Sequence, residues 1–177
     1  MLDPVFVLTL CLLLAVLFGH AAWGKLTARQ DFAAVLAAYD LAPAALNGVL
    51  SVALPVGEAL ISAGLLVHSL RPYAGAAAAV LFVVYGTAIA VNLGRGRRDL
   101  DCGCAGPGER RPIAGWMVWR NGVLALASAL VALGGTDRPL VIADALTVLG
   151  AVTGFALLYL ALDRLLTGAL QSPGVER

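Results

Sequence analysis

Five apolar runs, each close to the roughly 20 residues that a helix needs to cross about 30 Å of hydrocarbon, restrict this chain more than any other feature. They occupy residues 5–23, 48–67, 73–93, 113–133 and 140–162. A bilayer core holds no water, so each run must satisfy its own backbone polar groups, and a helix does so within one segment. Composition agrees: 60% of the 177 residues are hydrophobic and 13% are charged, against about half and a quarter in soluble domains. The leader of the first run, "MLDP", carries no Lys or Arg, and the run outlasts a typical signal core. A membrane anchor is expected there rather than a cleaved peptide.

Between the first two runs, residues 25–47 place Phe32, Val35, Leu36 and Tyr39 at helical spacing, with Asp31 and Asp40 at the ends. The segment is too polar to span and reads as a short helix in the membrane interface. Pro43 disfavours helical geometry in the residue before it, which predicts an end at Ala42. The tail after Arg164 is too short for a soluble domain. The expected fold is therefore all-α: a polytopic membrane protein with a four-helix transmembrane bundle, a fifth transmembrane helix and a short interfacial helix.

Five spans alternate, so the connections fall on two sides. Of the 12 Lys and Arg residues, only Arg71 and Arg138 fall on the side of the N-terminus; the rest share the side of the 25–47 segment, the 94–112 loop and the C-terminal tail. The positive-inside rule puts that second side in the cytoplasm.

Polar groups within spans are costly and therefore informative. Glu58 lies about 15 Å into the second span, and Arg120 and Asn121 lie about two turns into the fourth. His20 and Lys25 close the first span and Asn92 the third. Each has a structural reading beside a functional one: a Glu58–Arg120 pair can serve to orient two helices, and His20 can snorkel outward. Cys11, far from the loop, reads as a small buried hydrophobe.

The stretch "RGRRDLDCGCAGPGERRP" breaks the apolar pattern with Cys102-Gly103-Cys104. Two cysteines one residue apart can close a small ring, with Gly103 supplying the bend. Such a bond departs from relaxed geometry, and strained exposed disulfides are exchange-active. Arg97, Arg98, Arg110 and Arg111 favour the thiolate, as does a helix start at Pro112, whereas Asp101 opposes it. Three other readings stand beside redox exchange: two loop thiols without a role, a metal site, and arginines set against anionic lipid headgroups. The metal reading is short of ligands, because only His20 and His68 exist and they fall on opposite sides.

The combination of "AAWGKL", "LPVGEALISAGLLV" with Pro55 and Glu58, "DCGCAG" and "WRNGVLAL" with Arg120 and Asn121 resembles the methylamine utilisation protein MauE family, related to DoxX-like redox-associated membrane proteins. The resemblance covers residues 10–135 of a single domain spanning 1–177 and leaves the span 140–162 as an addition. Family loops carry an aromatic residue after the second cysteine, where this chain has Ala105. The resemblance implies a multi-pass inner-membrane protein that supports maturation of methylamine dehydrogenase, whose small subunit carries many disulfides, beside a thioredoxin-like periplasmic partner. By the same resemblance Cys102 and Cys104 are the redox pair. His20, Lys25, Glu58, Arg120 and Asn121 are expected to shape the cavity beneath it. A looser topological likeness to vitamin K epoxide reductase-like proteins adds a membrane quinone by analogy alone.

The family role puts the loop in the periplasm, where disulfides persist, against the charge count. The periplasmic face is the expectation carried forward, with the cytoplasmic one left open. For function, thiol–disulfide exchange stands against a non-catalytic assembly scaffold and against a carrier with its site at Glu58. The carrier lacks the mid-membrane helix breaks of many transporters. No motif points to nucleic acid or to a soluble cofactor.

Overall fold

The computed structural model describes residues 2–103, 111–135 and 138–171. Its helices are α1 (Pro4–Thr27), α2 (Arg29–Tyr39), α3 (Ala44–Leu66), α4 (Arg71–Gly94), α5 (Gly115–Ala132) and α6 (Ile142–Gln171), with a 3-10 turn at His68–Leu70 between α3 and α4. All but α2 are long and apolar enough to cross a membrane. The chain is a multi-pass, all-helical membrane protein.

α1, α3, α4 and α5 form the bundle. α4 packs most extensively on α5 and α1 on α3, while α3 with α4 and α1 with α5 close the ring. Lipid tails are as apolar as leucine, so burial alone does not hold these helices together; close packing does. Gly75 and Gly86 of α4 supply it. A Cβ at Gly75 would sit 2.8 Å from the Ala132 nitrogen and 3.0 Å from the Ser128 carbonyl oxygen, and one at Gly86 would sit 3.2 Å from Asn121 Cβ. On the other pair, Ser62 Oγ donates 2.7 Å across to the Ala15 carbonyl, beside Gly19. Phe18 and Phe82, their ring centroids 4.8 Å apart, fill the centre with Leu14, Leu65 and Val131. Cys11 is fully buried in this same cluster, as its sequence position suggests.

α6 lies outside the ring against α1. Its apolar side chains, among them Leu146, Leu149, Phe155 and Leu158, are exposed, as expected of a helix facing lipid. Its start is tied to that of α1 by Arg138, which donates to Asp144 at 2.7 Å and to Asp3 at 3.2 Å. Asp3 caps α1 through the Val5 amide, and Pro4 occupies the first-turn position where a missing N–H costs nothing.

Two boundaries differ from expectation: α6 runs on to Gln171, where the apolar run predicts an end at 162, and α2 ends early. α2 stops at Tyr39, not Ala42, because Asp40 turns into the left-handed region (φ 51°, ψ 47°) and donates its N–H to the Ala37 carbonyl. Pro43 then serves as the residue leading into α3 (φ −53°, ψ 140°), where its fixed φ suits the position.

Candidate functional site

The bundle holds a buried ion pair between the middle of α3 and the end of α1 that leads into α2. Lys25, in the last turn of α1, pairs through Nζ with Glu58 Oε1 of α3. Tyr85 of α4 donates its hydroxyl to the same Oε1 at 2.8 Å, and Lys25 Nζ lies 3.3 Å from that hydroxyl. Lys25 is 8% exposed and Glu58 1%. Glu58 lies about 12 Å along the axis from Leu66, at 1.5 Å per residue, so the carboxylate is well inside the apolar length of α3. The ammonium is further held over two rings, 4.7 Å from the Tyr85 centroid and 5.2 Å from that of Phe32, each such contact being worth about 0.5–2 kcal/mol. Oε1 thus collects two donors, while Oε2 is buried and has no hydrogen-bond partner among the described residues.

Phe32 belongs to α2, which lies across this end of the bundle and buries Phe32 and Tyr39. Asn92, fully buried near the end of α4, fixes the far end of α2. Its Nδ2 donates to the Tyr39 carbonyl (3.2 Å) and to the Ala88 carbonyl (3.1 Å), and its Oδ1 accepts from Arg97 (3.3 Å). Arg95 adds a donor to the Asp40 carbonyl at 3.3 Å. These bonds satisfy the terminal carbonyls that α2 cannot pair internally.

The cysteine loop rests on α2 from the other side. Its base is pinched by two antiparallel backbone bonds, Cys102 N–H to the Arg111 carbonyl and Ile113 N–H to the Leu100 carbonyl, both 2.9 Å. Asp101 Oδ1 accepts from the amides of Gly103 (3.2 Å) and Arg111 (3.3 Å), so this carboxylate serves loop geometry. Gly103 has φ 67°, and a Cβ there would meet Val35 Cγ1 at 3.2 Å and the Phe32 ring at 3.6 Å. Both the dihedral and the space call for glycine. Cys102 packs, half-buried, with Val35, Leu100 and Trp116 against a core of Tyr39, Ile89, Ile113 and Met117. Phe32 therefore touches both layers: the loop at Gly103 above and the Lys25 ammonium below.

Of the residues expected at the site, Cys102 sits at the loop, and Cys104 lies outside the described residues. Lys25 and Glu58 come together. The anticipated Glu58–Arg120 pair does not form; half-buried Arg120 donates to Tyr159 of α6 at 3.4 Å and lies over the Trp116 ring at 5.3 Å. Asn121 is buried, bonds within its own helix to the Met117 carbonyl at 2.8 Å and packs against Gly86. His20 is exposed on α1, apart from the cluster. Tyr85 was missed, although a hydroxyl in the middle of a span needs a partner when buried and could have signalled it.

Among the described residues no group of three or more His, Cys, Asp or Glu side chains could hold a metal ion. For the quinone suggested by analogy, the chemistry available is one buried indole N–H, Trp116 Nε1, which has no hydrogen-bond partner among the described residues. Trp116 packs in the same cluster as Cys102, and its N–H is a donor of the kind a quinone carbonyl would need.

Comparison with known proteins places the chain. The family model for methylamine utilisation protein MauE matches residues 3–134, which cover α1 to α5. A methylamine utilization protein MauE of Paracoccus denitrificans is 33% identical over 174 residues, covering 97% of this chain and 92% of the relative. The proteins of that name from Methylophilus methylotrophus and Paracoccus versutus are 38% and 39% identical, covering 91% and 95% of this chain and 86% and 90% of the relatives. No solved structure matches it. With the family model and several relatives agreeing over most of its length, the chain belongs to the methylamine utilisation protein MauE family.

Proposed function

We infer that this membrane protein serves methylamine utilisation as a thiol–disulfide exchange factor, with Cys102 and Cys104 as the exchanging pair. The pair takes a disulfide from, or passes one to, a thioredoxin-like partner, and so supports maturation of a disulfide-rich periplasmic enzyme, the methylamine dehydrogenase small subunit. The observation that carries the reading is the seating of Cys102. Its loop is pinched at the base, braced by Asp101 and bedded on Phe32 and Val35, which fixes a thiol at the exposed end of an otherwise apolar bundle.

Each exchange step balances without an external oxidant. A partner thiolate attacks one sulfur of the Cys102–Cys104 disulfide, a partner–chain S–S bond forms, and the other cysteine leaves as thiolate. The partner's second thiolate then attacks the mixed disulfide and leaves oxidised, with the pair reduced by two electrons. Run in reverse, the same steps return a disulfide to the partner.

The loop is assigned to the periplasmic face. Two of the arginines that weigh against that face have structural duties, Arg95 at the Asp40 carbonyl and Arg97 at Asn92, so the charge count overstates the topological signal. The test is replacement of both Cys102 and Cys104 by Ser. The double variant, inserted at wild-type levels, is expected to leave the client dehydrogenase unmatured; full maturation would remove the cysteines from the function. A scaffold role is favoured in that event by the Lys25–Glu58–Tyr85 brace, which joins α1, α3 and α4 independently of any thiol.

A further inference from the structure

Lys25 reaches the cysteine loop through one ring. Phe32 of α2 is buried, and its Cδ2–Cε2 edge faces Gly103, where a Cβ would meet both atoms at 3.6 Å. The Lys25 ammonium lies 5.2 Å from the centroid of the same ring. An aromatic face is negative and its edge positive, so the ammonium holds the face and leaves that edge to the loop. α2 itself is fixed: Asn92 and Arg95 hold its far end at the Tyr39 and Asp40 carbonyls, and α1 leads directly into its start. What remains to be set is the ring torsion, and a phenylalanine χ2 is broad by itself. The ammonium sets it. Glu58 of α3 and the Tyr85 hydroxyl of α4 fix the ammonium in turn. Contacts therefore run unbroken from the charge cluster inside the bundle to the residue beside Cys102.

We propose that Lys25 is a positioning residue for the exchange pair, acting through Phe32, so that the intramembrane ion pair keeps the Cys102 thiol seated at the loop. The proposal rests on the exchange reading for its purpose, though not for its geometry. A cation held over a ring biases an equilibrium by roughly two- to thirty-fold, and the seated loop loses that much of its preference when the ammonium is gone. Half-buried Cys102 then reacts faster with a small reagent, which needs only access. It reacts more slowly with a protein partner, which needs the thiol held in one place. An ordinary core contact does not drive the two rates apart. Lys25 and Glu58 together are net neutral, so removing both unseats the loop without changing the net charge near the thiol.

Alkylation of Cys102 by iodoacetamide across pH tests the link on the full chain in native membranes. A Cys104→Ser background leaves one loop thiol, and peptide mass spectrometry separates it from fully buried Cys11. Lys25→Met/Glu58→Met, Phe32→Leu and the triple variant are compared with the parent. The plateau rate at high pH is expected to rise by the factor above in the Met pair and in Phe32→Leu, and no further in the triple variant, with the titration midpoint unchanged. Where the Met pair does not insert, Lys25→Gln/Glu58→Gln makes the same comparison. A parental plateau in Phe32→Leu or in the paired variant overturns the proposal. So does an additive rise in the triple variant, which would route the effect of Lys25 past Phe32. With both cysteines restored, the paired variant should slow maturation of the dehydrogenase several-fold; undiminished maturation beside a raised plateau overturns the positioning role. The Cys102→Ser/Cys104→Ser variant run alongside separates the two failures, because it matures the client only if the exchange reading itself is wrong.

Discussion

Replacing Lys25 by methionine takes the ammonium away from a carboxylate that is 1% exposed and leaves Glu58 with the Tyr85 hydroxyl as its remaining described donor. Removing one member of a buried pair costs about 3–5 kcal/mol, chiefly because the survivor stays buried and uncompensated. Glu58→Met is expected to cost less than Lys25→Met. Lys25 sits in the last turn of α1, keeps the faces of Phe32 and Tyr85 and can snorkel toward the aqueous end. Glu58, well inside α3, has no such exit. The double variant Lys25→Met/Glu58→Met replaces the pair with apolar groups of similar length, a change that is often neutral or stabilising. The two losses should therefore cancel, giving a coupling of at least about 3 kcal/mol. Reversible unfolding of the four proteins in mixed micelles, followed by helical circular dichroism, measures it. Additive losses in the double variant would refute the claim that these two charges are held by each other.

Further outcomes follow from the same contacts. Tyr85→Phe removes a neutral donor to a charged acceptor and should lower stability by about 1.5–3 kcal/mol in the same micelle assay. Gly75→Ala, whose Cβ would press on the backbone of α5, should cost about 1–3 kcal/mol by overpacking, whereas Gly57→Ala, with nothing within 4 Å, should be neutral or better. Asn92→Leu frees the Tyr39 carbonyl and Arg97, and should speed amide exchange across α2 while leaving that of α4 and α5 near wild type. The Asp3 carboxyl is held below its usual 3.8, first by the Val5 amide and then by Arg138. A depressed folded value means that its stabilisation is complete above the unfolded value and is lost as pH falls through the folded one. The protection of the first-turn amides of α1, taken relative to the intrinsic exchange rate at each pH, should therefore be flat from neutral pH down to about 5, fall below the usual 3.8, and lose that dependence in Asp3→Asn.

The five spans were legible because hydrocarbon thickness fixes helix length: the first four spanning helices lie within about four residues of their expected bounds, whereas α6 starts as expected and runs on to Gln171, nine residues past its expected end. The end of α2 was not, since Pro43 is the visible stop signal while the left-handed turn at Asp40 comes first. Glu58 stood out in the sequence as a charge in an apolar run, yet its partner did not. The antiparallel register of α1 on α3, set by Ser62 on Ala15, puts Glu58 opposite the part of α1 just before Lys25, and the two long side chains meet across that offset. Register between helices leaves no trace in periodicity. Tyr85 was hidden for the same reason, and His20 proved exposed because the apolar stripe of α1 continues past it on another face.

The central claim, that Cys102 and Cys104 exchange disulfides with a partner, is tested most directly by trapping. Single variants Cys102→Ser and Cys104→Ser, expressed in cells that make the dehydrogenase, should differ. At least one should accumulate a reductant-sensitive adduct with a thioredoxin-like protein or the client, identified by mass spectrometry, and the double variant should accumulate none. Absence of an adduct from both single variants, with the lone cysteines alkylatable and the dehydrogenase mature, would contradict it.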